Sequence, residues 1–211
     1  MNDEKTQASE KRHAGPGIYI AFVPWLLFGV IVRQDSLIAA AIVALLAATA
    51  ISAPGVVHGR PKVLELGTVL AFVGFTIAAT LLDSSASAWL ARYARAISAS
   101  LLALIAFGSL LRTPFTEQYA RETVPREWWS SERFKHVNRS LTAMWGLVFA
   151  AMVPSHVIAG AIDTRRGNTI FNWLIPIALI IWAAKRTARV SDGDGVVAAD
   201  GSEASDASLA A

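Results

Sequence analysis

The chain contains no cysteine, only four histidines, and charged residues at 17% of its 211 positions. The absence of cysteine excludes disulfides, thiolate metal sites and a cysteine nucleophile. No phosphate-cradling glycine loop, zinc spacing or serine–base arrangement stands out either. A b-type haem needs two facing histidines, and only His156 falls inside an apolar stretch. The sequence therefore predicts no enzyme, no metal site and no cofactor.

Hydrophobic residues, in contrast, make up 54% of the chain. They gather in six stretches near 17–33, 36–54, 63–82, 94–111, 140–160 and 169–184. A helix needs about 17–25 apolar residues to cross the hydrocarbon core of a bilayer. The sequence thus predicts an all-α, polytopic transmembrane helix bundle of about six spans over residues 17–184.

Lys and Arg are divided unevenly between the segments that separate these stretches. With six spans, fourteen of the nineteen fall on the side of both termini and of the loop 112–139. The positive-inside rule then places both termini in the cytoplasm. The excess of basic residues fits anionic head groups better than nucleic acid, so the predicted partner is the lipid bilayer. The polar tail 1–16 and the basic, then acidic, tail 185–211 are predicted to be disordered.

The loop 112–139 between the fourth and fifth stretches is unusually long and patterned. Phe115 and Tyr119 fall one turn apart on one helical face, and Glu117 and Arg121 have salt-bridge spacing on another. Aromatic and basic residues mixed in this way are typical of a helix in the head-group region. The segment is interpreted as an interfacial elbow, a docking surface for a partner protein, or a lid over a substrate path. The candidate residues are Phe115, Tyr119, Arg121, Trp128, Trp129 and Phe134.

Ionisable residues inside the predicted spans are few. Glu65 lies about one turn inside the third stretch, where a charge is costly and suggests ion coupling. Lys62, three residues earlier, offers it a salt-bridge partner. His156 is expected to be a hydrogen-bonded structural residue, and Asn172 is expected to hydrogen-bond across helices.

Small residues predict close helix packing in the second and third spans. Ala40, Ala44 and Ala48 form one stripe, and Gly67 and Gly74 serve the same purpose in the third span. Such stripes permit a homo-oligomer without requiring one.

The second half of the chain also carries a family resemblance. An amphipathic loop with a Pro-x-x-Trp step leads into the fifth stretch, and a final stretch rich in aromatics follows. The residues concerned are Pro125, Trp128, Asn138, Arg139, Leu141, Trp145, Phe149, Asn168, Phe171 and Trp173. This pattern resembles the bacterial intracellular septation protein A (YciB) family of small inner-membrane proteins. The resemblance implies a multi-pass protein of the bacterial inner membrane, with a non-enzymatic role in envelope synthesis or division through other membrane proteins.

Three functional hypotheses remain open at this stage. The first is a structural or interaction protein that presents the loop 112–139 to partners or to lipid. The second is a small solute or ion transporter that uses Glu65 and polar groups of the third to sixth spans. The third is an enzyme, which would need a catalytic set that assembles only in the folded bundle.

Overall fold

The computed structural model of the protein describes residues 17–32 and 36–190, and this part of the chain is helical without a β-strand. The disorder predicted for residues 1–16 and 191–211 lies outside the described residues. Residues 185–190 were also predicted to be disordered, and this is wrong, because they continue the last helix. The helices are α1 (Gly17–Ile20), α2 (Val23–Ile31), α3 (Leu37–Val57), α4 (Val63–Leu81), α5 (Ser84–Ser109), α6 (Phe115–Ala120), α7 (Glu132–Ile162) and α8 (Arg165–Val190). A 3₁₀ turn covers Arg126–Trp128, and a π-helical turn covers Ile170–Leu174 inside α8.

Five of these helices, α3, α4, α5, α7 and α8, are long and apolar enough to cross a membrane. The all-α, membrane-compatible class predicted from the sequence is therefore confirmed. The first predicted stretch forms the shorter pair α1–α2 over Gly17–Ile31. Its role as a sixth span stays a prediction.

One face of the pair α1–α2 packs into the bundle, alongside α4. The Trp25 indole donates a hydrogen bond to Thr68 Oγ1 at 2.9 Å, and Phe28 packs on Phe72 and Phe75. All three aromatic rings of this last group are buried. Because residue numbers rise together on both helices, α2 and α4 run in the same direction.

The two ends of the bundle are structurally different. At one end α3 and α5 stop, α4 and α7 start, and the residues 112–131 cover them; we call these residues the cap and this end the cap end. At the other, the distal end, α4 and α7 stop and α5 and α8 start. Gly17 lies at the cap end, where a Cβ placed on it would be 3.6 Å from the Tyr119 ring. Thr187, near the end of α8, hydrogen-bonds to Trp145 towards the same end.

The predicted small-residue packing is present in α3 and in part of α4. Ala40, Ala44 and Ala48 are all buried, as expected for a stripe that lets helices approach closely. A Cβ added at Gly67 would lie 2.7 Å from Ile105 on α5. Gly74, in contrast, has no atom of the described residues within 4 Å of such a Cβ, so the packing predicted for it is wrong.

Several helices extend beyond the apolar stretches that predicted them. The fourth stretch was expected to start at residue 94, but α5 starts at Ser84, capped by Asp83, which accepts a hydrogen bond from the Ala86 N–H at 2.8 Å. Arg92, which lies outside the predicted stretch, is therefore helical, and Arg95 lies well inside α5 and not in its first turn. Similarly, α7 begins at Glu132, so residues 132–139 of the predicted loop are helical. A hydropathy pattern detects the apolar part of a helix, whereas the capping residue sets where the helix begins.

Candidate functional sites at the two ends of the bundle

Glu65 lies in the first turn of α4, with only 6% of its surface exposed. Lys62 Nζ is 3.3 Å from Glu65 Oε1, and the Tyr119 hydroxyl donates a hydrogen bond to the same oxygen at 3.2 Å. Lys62 Nζ also reaches Glu122 Oε1 at 2.8 Å and lies 4.3 Å from the centre of the Tyr119 ring. The structure thus brings together Glu65 and Tyr119, which the sequence assigned to two different hypotheses.

Burial of the Tyr119 hydroxyl, reinforced by the charge of Glu65, raises its pKa well above the ordinary range. Tyr119 therefore keeps its proton and acts as a hydrogen-bond donor at neutral pH. The contact is a fixed donor–acceptor pair between the cap and α4.

A side chain of the cap also satisfies a free backbone N–H at the start of α4. The side chain of Lys62, at the N-cap position, makes no capping hydrogen bond. Instead, Gln118 Oε1 accepts a hydrogen bond from the Val63 N–H at 2.8 Å, while Gln118 Nε2 donates to the Thr113 carbonyl at 2.9 Å. A free N–H at a helix start needs such a partner.

A buried hydroxyl cluster attaches the start of α6 to α5 and α7. Thr116 Oγ1 lies 2.8 Å from both the Asn138 carbonyl and Thr142 Oγ1. The Phe115 N–H donates to Ser109 Oγ at 3.1 Å, and the Phe115 ring is fully buried. The amphipathic face predicted by Phe115 and Tyr119 is therefore packed against protein.

The outer part of the cap is built around Trp129. Its indole N–H donates to the Val124 carbonyl at 2.9 Å, and the guanidinium groups of Arg121 and Arg126 lie 5.1 and 5.6 Å from its ring centre. Arg121 also pairs with the buried Glu117, which confirms the predicted four-residue salt bridge.

The other two aromatic candidates of this segment differ in exposure. Trp128 is 46% exposed, while Phe134, in the first turn of α7, is half-buried. The cap therefore presents one large apolar side chain beside the exposed Arg126.

At the distal end the main feature is Arg95, which the sequence did not single out as a site residue. Its guanidinium donates to the Gly29 carbonyl through Nε, at 3.0 Å, and through Nη2. The same group lies 5.6 Å from the centre of the Trp173 ring. No carboxylate of the described residues lies within salt-bridge distance of Arg95. One feature of the sequence could have indicated Arg95: it precedes, by four residues, a helical stripe of small apolar residues.

A chain of polar side chains continues from Arg95 between α7 and α8. His156 Nδ1 and Asn172 Oδ1 lie 2.7 Å apart, and Asn172 Nδ2 donates to Asn168 Oδ1 at 2.8 Å. Ser155 Oγ donates to the Phe171 carbonyl in the π-helical turn at 2.7 Å. The interhelical hydrogen bond expected of Asn172 is therefore confirmed, with His156 as its partner.

Two cavities meet at the distal end. One, of about 650 Å³, has a polar wall that includes Arg92, Arg165 and Asp163. The other, of about 240 Å³, is walled mainly by apolar and aromatic side chains of α2, α5, α7 and α8. Arg95 and Asn172 line both. Glu65 lines neither cavity.

Within residues 17–32 and 36–190, no three His, Asp or Glu side chains are grouped as they would be around a metal ion.

Comparison of the chain with protein-family models, curated proteins and solved structures finds no match. The fold and sites define it as an all-helical protein with the features of a multi-pass membrane protein. Its resemblance to the septation family stays a prediction.

Proposed function

We propose that the chain is a non-enzymatic, multi-pass protein of the bacterial inner membrane that uses its cap to contact a partner protein in envelope maintenance or septation. In this proposal α1–α2 is a short first span, and six spans leave both termini and the cap in the cytoplasm. The location of Gly17 and Thr187 towards the same end of the bundle supports an even number of spans. The excess of Lys and Arg around the cap end supports the orientation.

The observation that carries the proposal is the contrast between the two sides of the cap. Its inner side is held by hydrogen bonds to two helices: Thr116 bonds to α7, while Gln118 and Tyr119 bond to the first turn of α4. Fixing the backbone of a surface segment costs about 1–2 kcal/mol per residue in conformational entropy. A connection between two antiparallel helices needs only a few residues. An ordered cap with an exposed tryptophan is therefore more than a connection, and tryptophan is favoured at the centres of protein interfaces.

Glu65 fits this role better than ion coupling. Its carboxylate already has Lys62 and Tyr119 as partners, and a transporter needs that group to exchange partners with a solute or a proton. We assign Glu65 to holding the cap on α4. An ion-coupling function would instead require a path to Glu65 from the distal cavities.

The test is rescue of a deletion strain that is imaged for cell length and septum placement. We expect wild type and Glu65→Gln to restore normal division, and Trp128→Ala to fail at equal membrane abundance. Trp182→Ala is the matched control, because Trp182 is a similarly exposed tryptophan on α8. Rescue by Trp128→Ala, or a solute-specific defect restored by wild type and not by Glu65→Gln, would overturn the proposal.

A further inference from the structure

The distal cavities carry an excess of positive charge. Among the described residues, three arginines, Arg92, Arg95 and Arg165, line the larger cavity, together with the single carboxylate Asp163. Arg92 Nη2 lies 2.9 Å from Asp163 Oδ2, so this pair is already neutralised. Arg95 and Arg165 have no carboxylate partner within the described part of the chain. The larger cavity therefore suits an anion.

Arg95 has hydrogen-bonding capacity left for such an anion. A guanidinium carries five N–H donors in a planar fork. Only its Nε and Nη2 reach a partner, the Gly29 carbonyl, among the described residues. The fork matches the oxygens of a phosphate or a carboxylate. An arginine placed inside a membrane helix without a counter-charge is costly, which favours a functional reason for its presence.

The smaller cavity continues from Arg95 along one face of α5. Ser98, Ala99 and Leu102 follow Arg95 at helical spacing and line this cavity, which changes from polar to apolar along the helix. Ser98 is only 8% exposed, and its Oγ has no hydrogen-bond partner within the described residues. A buried hydroxyl without a partner is destabilising, so a ligand group that accepts its hydrogen bond would be favoured.

The smaller cavity also reaches the outer surface of the bundle. Leu26 and Ile177 line it, and 56% and 45% of their surfaces are exposed. In a bilayer these side chains face the lipid tails, so the groove is accessible to a molecule that diffuses within the membrane. A soluble anion needs only the larger cavity, whereas an amphiphile uses both.

We propose that the joined distal cavities bind one anionic phospholipid of the bilayer. Its phosphate lies beside Arg95, Arg165 and Arg92, and one acyl chain occupies the apolar groove along α5. The Ser98 hydroxyl then donates to an ester oxygen close to the head group. This site lies at the end of the bundle opposite to the cap and does not depend on the function proposed for the cap.

The experiment uses the full-length chain in detergent, with brominated phosphatidylglycerol and brominated phosphatidylcholine as probes. Bromine on the acyl chain quenches nearby tryptophan, and Trp25, Trp145 and Trp173 line the groove. We expect phosphatidylglycerol to quench at concentrations about tenfold lower than phosphatidylcholine, since the choline cation of the latter is repelled by the arginines and offsets the charge of its phosphate.

Two variants test whether the arginines of the larger cavity bind the lipid phosphate. Arg165→Gln changes an exposed side chain and should leave the fold intact, while Arg95→Gln removes the central donor. Each is expected to lower the preference for phosphatidylglycerol severalfold. Arg186→Gln, also exposed on α8 but towards the cap end, is the control and should keep the full preference.

Equal quenching by the two lipids, or an undiminished preference in Arg165→Gln, would overturn the proposal. A last experiment, with inorganic phosphate as the probe, distinguishes a soluble anion from a lipid. If phosphate at millimolar concentration stabilises the protein against heat as much as phosphatidylglycerol does, the site takes a soluble anion and the lipid proposal is wrong.

Discussion

The Tyr119 hydroxyl donates a hydrogen bond to Glu65 Oε1 across 54 positions of sequence. This contact attaches the cap to the first turn of α4, and Lys62 joins both residues through an ion pair and a ring contact. A double-mutant cycle tests whether the two side chains act together. We expect Tyr119→Phe, which removes the donor, and Glu65→Ala, which removes the acceptor, each to lower the free energy of unfolding by about 1–3 kcal/mol, the cost of a lost buried hydrogen bond.

The double variant should lose less than the sum of the single losses, by at least about 0.5 kcal/mol, because both substitutions remove the same contact. Thermal unfolding in a mild detergent measures all three variants. Additive losses would show that the two residues stabilise the protein independently.

The pKa of Tyr119 predicts a loss of stability at high pH. Burial and Glu65 raise this pKa above its ordinary value of 10, so the folded state binds the proton more tightly than the unfolded state. This contribution is complete below pH 10 and is lost as pH rises above it. We expect the melting temperature of wild type to fall more steeply above pH 10 than that of Tyr119→Phe. Parallel pH profiles for the two proteins would contradict the assignment.

Proteolysis can test whether Thr116 attaches the cap to the bundle. Thr116→Val keeps the side-chain shape but removes the hydroxyl that meets Asn138 and Thr142. The variant should open the cap more often, so trypsin should cut at the exposed Arg126 several times faster than in wild type. Thr49→Val is the control, because the Thr49 hydroxyl is exposed and bonds only within its own helix. Unchanged cleavage in Thr116→Val would show that this cluster does not hold the cap.

The two glycines of α4 form a matched pair for packing. Gly67→Ala places a Cβ against Ile105 and is expected to cost about 1–3 kcal/mol, the usual penalty for overpacking. Gly74→Ala meets no atom within 4 Å in the part of the chain that the structure describes, and it should be neutral or stabilising by up to about 1 kcal/mol, through its better helix propensity. Detergent melting curves compare the two. Equal effects would mean that α4 and α5 do not pack as closely at Gly67 as the structure has them.

The membrane topology can be tested by labelling single introduced cysteines, because the chain has no cysteine of its own. Ser85→Cys at the distal end and Ser130→Cys in the cap both replace exposed side chains. In the proposed orientation a membrane-impermeant thiol reagent labels Ser85→Cys in intact cells, and labels Ser130→Cys only after permeabilisation. The reverse pattern would place the cap outside the cytoplasm.

Local pattern alone predicts the fold class and the approximate position of every long helix, because an apolar run of hydrocarbon length depends only on neighbouring residues. The Glu117–Arg121 pair and the Ala40 stripe were predictable for the same reason, since helical spacing sets them. Even the start of α5 at Ser84 is indicated locally, by the capping residue Asp83, although a hydropathy pattern does not detect it.

The candidate sites, in contrast, depend on which helices become neighbours. The contact of Tyr119 with Glu65 joins the cap to α4, and nothing in either segment indicates the other. Arg95 likewise looks like a flanking charge until α2 and α8 bring Gly29 and Trp173 to it. Only the tertiary structure makes these contacts, because distances between side chains on different helices are set by the packing of the whole bundle and not by local spacing.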